Sequence, residues 1–143
     1  VLRATAKDTR AERTVSKMVT NHLVISFGLP SQNDVIKIAK RHYMAYASVK
    51  KKNTKLIEAE LIAQGCIPDK PYSRIDIECV WIETGRSRDP DNILCGGLKP
   101  ILDAMVNQGI IEDDSIKQVN RITATFEQGK ERAVIVRWCE AKQ

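Results

Sequence analysis

Two apolar rhythms alternate along the chain. In Arg74–Glu83, Ile75, Ile77, Cys79 and Trp81 fall on every second position, with Asp76 and Glu78 beginning the other face. That is the period of a strand with one buried face. From Asn92 the rhythm changes: Leu94, Leu98, Ile101, Leu102 and Met105 recur at three- and four-residue spacing, which predicts a helix. Asp91 reads as its N-cap and Gly109 as its C-cap. Gly96, Gly97 and Pro100 interrupt the pattern, so the reading is one kinked helix, with a start near Leu98 as the alternative. Period two returns in Lys117–Glu127, where Ile122, Ala124 and Phe126 share a face, and in Arg132–Trp138, where Val134, Val136 and Trp138 do. Gln128-Gly129-Lys130 between them reads as a hairpin turn.

The first half is simpler. His22–Phe27 is rich in β-formers and stops at Gly28, giving a first strand, and residues 29–33 form a loop. Residues 34–64 are helix-prone, with a break expected around Ala47-Ser48 and Gly65 closing the second half. Residues 1–20 carry no clear period and read as an N-terminal tail or extension, leaving 21–143 as one domain. The order β-α-β-α-β-β predicts an α+β fold of two layers: a small mixed sheet of about four strands with helices on one face.

Composition adds direction rather than identity. Of the 143 residues 43% are apolar, enough for one modest core. Lys and Arg exceed Asp and Glu by 23 to 18, a mild pointer to a polyanionic partner. Seven of these cations (37, 40, 41, 50, 51, 52, 55) lie between Ile36 and Leu56 with no acid among them, and His42, Tyr43 and Tyr46 are interleaved. Such a run is either a solvated face or a grip on phosphates, where the tyrosines could stack on unpaired bases. Cys66, Cys79, Cys95 and Cys139 have no metal-ligand spacing; Cys79 and Cys139 read as buried thiols suited to a reducing cytosol. No run is long and apolar enough for a membrane span, and the charged start does not resemble a signal peptide, so a cytoplasmic protein is expected.

The chemistry concentrates in residues 86–119. Asp89 and Asp91 flank a proline, and Asp113 and Asp114 follow the helix. A residue before proline is pushed towards extended backbone, and in extended chain residues two apart point to one side. Asp89 and Asp91 could then converge, and two close carboxylates repel unless a cation joins them. Mg²⁺, which takes oxygen ligands and keeps waters for substrate phosphate, suits them. Equally, Asp-Pro-Asp-Asn is a common helix start and Glu112-Asp-Asp-Ser115 an ordinary solvated turn. No Gly-rich phosphate loop supports a nucleotide hydrolase.

Arg88-Asp-Pro-Asp-Asn, Lys99-x-x-x-Asp103-Ala and Gly109-Ile-Ile-Glu-Asp-Asp, in that order, resemble the signature of the RusA family of Holliday junction resolvases. Leu29-Pro-Ser-Gln-Asn33, the basic Ala47–Thr54 stretch and Trp81-Ile-Glu extend the likeness over residues 22–140. The resemblance implies a RusA-like fold and a homodimeric, Mg²⁺-dependent endodeoxyribonuclease, with Mn²⁺ as the alternative ion. Its substrate would be four-way or branched DNA, nicked in pairs during recombination and repair. It assigns catalysis to Asp89, Asp91, Asp114 and Lys99, and the metal to Asp89, Asp91 and Asp114 with Asp113 adjacent. Arg88 would contact DNA; Arg86, Lys50, Lys51, Lys52 and Lys117 are the other candidate DNA contacts. The gap from Asp91 to Lys99 is about one helical turn longer than in the best-known member, which bears on Lys99 and leaves the Asp103–Asp114 spacing intact. The alternative function is a non-catalytic protein that binds branched DNA.

Overall fold

A computed structural model describes residues 19–142. Its elements in order are β1 (His22–Ile25), α1 (Gln32–Arg41), α2 (Tyr43–Ala63), β2 (Ile75–Glu83), α3 (Pro90–Asn107), β3 (Val119–Gln128) and β4 (Ala133–Glu140). The expected tail at 1–20 lies almost wholly outside these residues. The fold is α+β, with one mixed four-stranded sheet in the order β1-β4-β2-β3. β4 pairs antiparallel with β1 and with β2, whereas β2 and β3 are parallel. The β2–α3–β3 segment is therefore a crossover unit, and α3 is its helix.

Register shows why the alternation in β2 matters. Ile77 lies beside Trp138 and Ile122, Cys79 beside Val136 and Ala124, and Trp81 beside Val134 and Phe126. All point to the face that meets Leu23 and Ile25 of β1, Ile57 and Leu61 of α2, and Ile101 and Met105 of α3 in one core. The opposite face carries Asp76, Glu78, Arg121 and Arg137, with Arg137 3.5 Å from Glu78. The sheet is thus apolar towards the helices and polar away from them, the pattern of a two-layer domain. Burial pushes the Cys79 thiol up to about 12.

Four expectations are corrected. β3 and β4 do not form a hairpin, because β2 lies between them; residues 129–132 instead cross the end of β2, where the Gly129 N–H donates to Glu83 O at 2.8 Å. The helical break is at His42, whose extended backbone (φ −162°, ψ 114°) separates α1 from α2, and α2 runs unbroken through Ala47-Ser48. No glycine or proline marks that corner; both helices pack on α3, and the bend accommodates this. Cys139 is exposed, since Val134, Val136 and Trp138 take the inward positions of β4. Finally, α3 starts two residues early: Asp89, not Asp91, is the N-cap, with Pro90 at the first helical position.

The kink-prone stretch of α3 is one helix with Pro100 inside it. The glycines there serve close approach. A Cβ on Gly96 would run into the backbone of Pro30 and Ser31, and one on Gly97 would meet the Trp81 ring at 2.6 Å. These two glycines let α3 lie directly on the loop before α1 and on the middle of β2. Gly65 and Gly109, at φ 70° and 74°, end α2 and α3 as their sequence positions suggest.

Candidate functional site

Pro90 fixes both acids at the start of α3. It holds Asp89 in extended backbone (φ −77°, ψ 136°) and opens the helix, so Asp91 falls in the first turn. The Asp89 side chain makes no capping bond, and both residues are exposed. Asp91 therefore does not share an extended segment with Asp89, but both carboxylates stand at the positive end of the helix, where negative charge is favoured.

From Asp91 the outward side of α3 runs in steps of four: Asp91, Cys95, Lys99 and Asp103, a ridge of neighbouring side chains. Ile93, Gly96, Gly97, Pro100, Ile101, Ala104 and Met105 fill the inward side. Beyond Gly109 the chain buries Ile110 and Ile111 and returns along α3. This return carries Asp114 to Lys99: Nζ stands 2.9 Å from Asp114 Oδ2 and 2.9 Å from Asp103 Oδ1. The hydrogen bonds to Asp114 and Asp103 raise Lys99 to about 12, and Lys99 in turn holds the Asp114 carboxyl below the usual range.

The acids consequently occupy two places on one helix. Eight residues separate Asp91 from Lys99, roughly 12 Å along the axis at 1.5 Å per residue. Mg²⁺ binds oxygen at about 2.1 Å, so carboxylates sharing one ion must lie within a few ångströms of each other. Among the described residues, no group of three or more His, Cys, Asp or Glu could hold a metal ion. In this arrangement Asp114, with exposed Asp113 beside it, is held at Lys99, and Asp89 and Asp91 stand as a pair at the start of the helix.

The candidate DNA contacts divide in the same way. Arg88 is engaged inside the molecule: Nη2 lies 2.7 Å from Asp34 Oδ2, and Nη1 lies 3.6 Å from Glu83 Oε2. Arg132 approaches the same Glu83 oxygen at 3.2 Å and donates to Leu29 O. Glu83 is buried at the end of β2, so the two guanidiniums compensate its charge. Asp34 also closes a capping box with Ser31, and the Ser31 backbone N–H, ahead of its hydroxyl and the two arginines, lowers the Asp34 carboxyl. Arg88 thus ties the end of β2 to the start of α1, immediately before Asp89. Sequence reasoning missed Asp34, Glu83 and Arg132; the Ser31-x-x-Asp34 capping pattern was the available signal.

Arg86 is exposed, with Nε donating to Gln128 Oε1 at 3.0 Å. Lys50, Lys51 and Lys52 are exposed on α2, and Lys117 is exposed in the turn before β3. Lys50 and Lys99 share the rim of a cavity of about 120 Å³ between the three helices, whose walls include Val35, Tyr46, Asn53 and Gly96. Asn33, His22 and His42 are exposed, and the Tyr43 side chain lies outside the described residues. No helix among the described residues is long and apolar enough to cross a membrane. No protein-family model matches the chain, and no curated protein matches it.

Proposed function

We propose that the chain is a structure-selective endodeoxyribonuclease of the RusA type, nicking four-way or branched DNA in pairs as a homodimer. One observation carries the reading: acids far apart in sequence share the exposed ridge of one helix. Asp89 and Asp91 start it, and Asp114 returns to it through Lys99. Asp91 would accept the proton of the attacking water, with Asp89 beside it. Lys99, once it exchanges Asp114 for a phosphate oxygen, would stabilise charge there. The exposed Lys50, Lys51, Lys52, Arg86 and Lys117 would hold the DNA backbone. Arg88 is a positioning residue, because it fixes the segment that presents Asp89.

A phosphodiester brought against two carboxylates is repelled unless a cation stands between them. The reading therefore includes a divalent cation, Mg²⁺ or Mn²⁺, which would polarise the phosphate when bound. One specific observation favours the alternative of branched-DNA binding without cleavage: Lys99 neutralises Asp114 a long way from Asp91 along α3. Incubation of the protein and Mg²⁺ with a synthetic four-way junction separates the two readings. Paired nicks support the nuclease, and retention of the intact junction supports the binding protein.

A further inference from the structure

The helices do not close fully on one another. Tyr46, Lys50 and Asn53 follow in steps of four and three along α2, so they share one side of it. With Val35 and Ile38 of α1 and Lys99 of α3 they surround the cavity of about 120 Å³. No residue of α1 is buried, although the helix packs on both of the others. Val35 and Ile38 thus stay half-buried on a side that a filled core would cover. The space is roughly ten times what one water needs and well short of a drug-sized site, which suits a single ring system.

The walls specify the ring. Val35, Ile38 and Tyr46 offer apolar surface, and a tyrosine ring is one on which a base can stack. Gln32 and Asn53 each add a primary amide, which brings donors and an acceptor. Among the described residues no carboxylate lines the cavity, and the ammonium-bearing Lys50 and Lys99 stand on its rim. Lys99 is already shared between Asp103 and Asp114. Lys50 forms no ion pair among the described residues. An acyl chain would cover both amides without matching them, which is costly. A nucleobase matches them along its edge and offers its faces to Tyr46 and the aliphatic side chains. Its phosphate stays outside, at the height of Lys50.

We propose that this cavity receives an unpaired nucleobase of a DNA strand, with the adjoining phosphate on Lys50. The proposal rests on DNA as the partner in the proposed function and not on cleavage, so it is tested without Mg²⁺. It gives Tyr46, which the cleavage does not use, a part in recognition, because an unpaired base marks a departure from plain duplex.

Fluorescence anisotropy of the full chain with a labelled duplex carrying one bulged nucleotide measures it, against the same duplex with an abasic residue in the bulge. The base should tighten binding by about tenfold. Val35→Phe fills the cavity from α1 and should draw the two affinities together. Asn53→Leu keeps the side-chain size, loses the amide and should reduce the preference by about threefold or more, which keeps the test open if Val35→Phe does not fold. Cys95 lines the cavity, whereas exposed Cys139 lies on the other face of the sheet. In protein saturated with either duplex, the base should slow alkylation of Cys95 relative to the abasic duplex and leave Cys139 unaffected. Equal affinity for the two duplexes overturns the proposal and leaves DNA binding standing, whereas binding to neither overturns both. A preference that survives both substitutions, or a Cys95 alkylated equally in the two complexes, also overturns the proposal.

Discussion

The Lys99 ammonium lies 2.9 Å from the carboxylates of both Asp103 and Asp114, and so fastens the return of the chain to the helix that precedes it. Asp103 is four residues along the same helix, whereas Asp114 arrives by way of Gly109 and the buried pair Ile110 and Ile111. The clamp sets where Asp114 stands against α3.

The clamp predicts a defined pH window. Asp114 is lowered, so its contribution is present above the ordinary carboxyl value and is lost as pH falls through the lower folded value. Lys99 is raised to about 12, so its contribution is full below the ordinary lysine value and is lost as pH rises through about 12. Lys99 is half exposed, which limits the pair to about 1 kcal/mol or less. Urea denaturation of Lys99→Met should show a loss of this size at neutral pH. In Asp114→Asn the same loss should shrink once the solution is acid enough to protonate Asp114 in the wild type. A loss in Asp114→Asn unchanged in acid would mean that the charge pair is not its origin.

Gly96→Ala should cost more stability than an ordinary helix substitution gains. In a free helix alanine is favoured over glycine by about 1 kcal/mol. Here its methyl group would meet the backbone of Pro30 and Ser31, which cannot swing aside. Overpacking of this kind costs about 1–3 kcal/mol or more, and thermal denaturation reads it directly. A stabilised Gly96→Ala would contradict the close contact between α3 and the loop before α1.

Glu83→Leu should destabilise the fold by about 2–3 kcal/mol, because it leaves Arg88 and Arg132 facing an apolar side chain at the end of β2. If Arg88 positions Asp89, Arg88→Ala should lower the cleavage rate while leaving the salt dependence of DNA binding nearly unchanged. A direct phosphate contact would instead reduce that slope by about one. Binding titrations at several salt concentrations distinguish the two outcomes.

Substitution of Lys50, Lys51 and Lys52 by Gln tests the basic face. If each neutralises a phosphate, the slope of log affinity against log salt should fall by about 2–3 in magnitude, with weaker binding to branched and linear duplex alike. An unchanged slope would return these lysines to an ordinary solvated face.

Local rhythm made much of this fold legible. Ile75, Ile77, Cys79 and Trp81 point inward as their alternation requires, and Gly65 and Gly109 end their helices. What escaped depended on tertiary choice. Gln128-Gly129-Lys130 has the composition of a hairpin turn, but pairing partners are decided by the whole sheet, and β2 holds the place between β3 and β4. The corner at His42 carries no breaker residue and follows from packing on α3. Asp89 in extended backbone was readable from Pro90, and the Lys99–Asp103 pair from its four-residue spacing. The height at which Asp114 meets α3 was not readable, because it depends on how the 108–118 return packs. Arg88 was legible as a cation beside the acids, but not as the partner of Asp34, which lies 54 residues away.

The central claim is that Asp89 and Asp91 serve phosphodiester hydrolysis on branched DNA. It is tested most directly by timing the cleavage of a labelled four-way junction in Mg²⁺ by the wild type, Asp89→Asn and Asp91→Asn. Symmetric paired nicks by the wild type and a loss of about 10²-fold or more in each variant, with junction binding retained, are the expected result. A wild type that binds the junction without cutting it, or an Asp91→Asn protein that cuts as fast as the wild type, would contradict it.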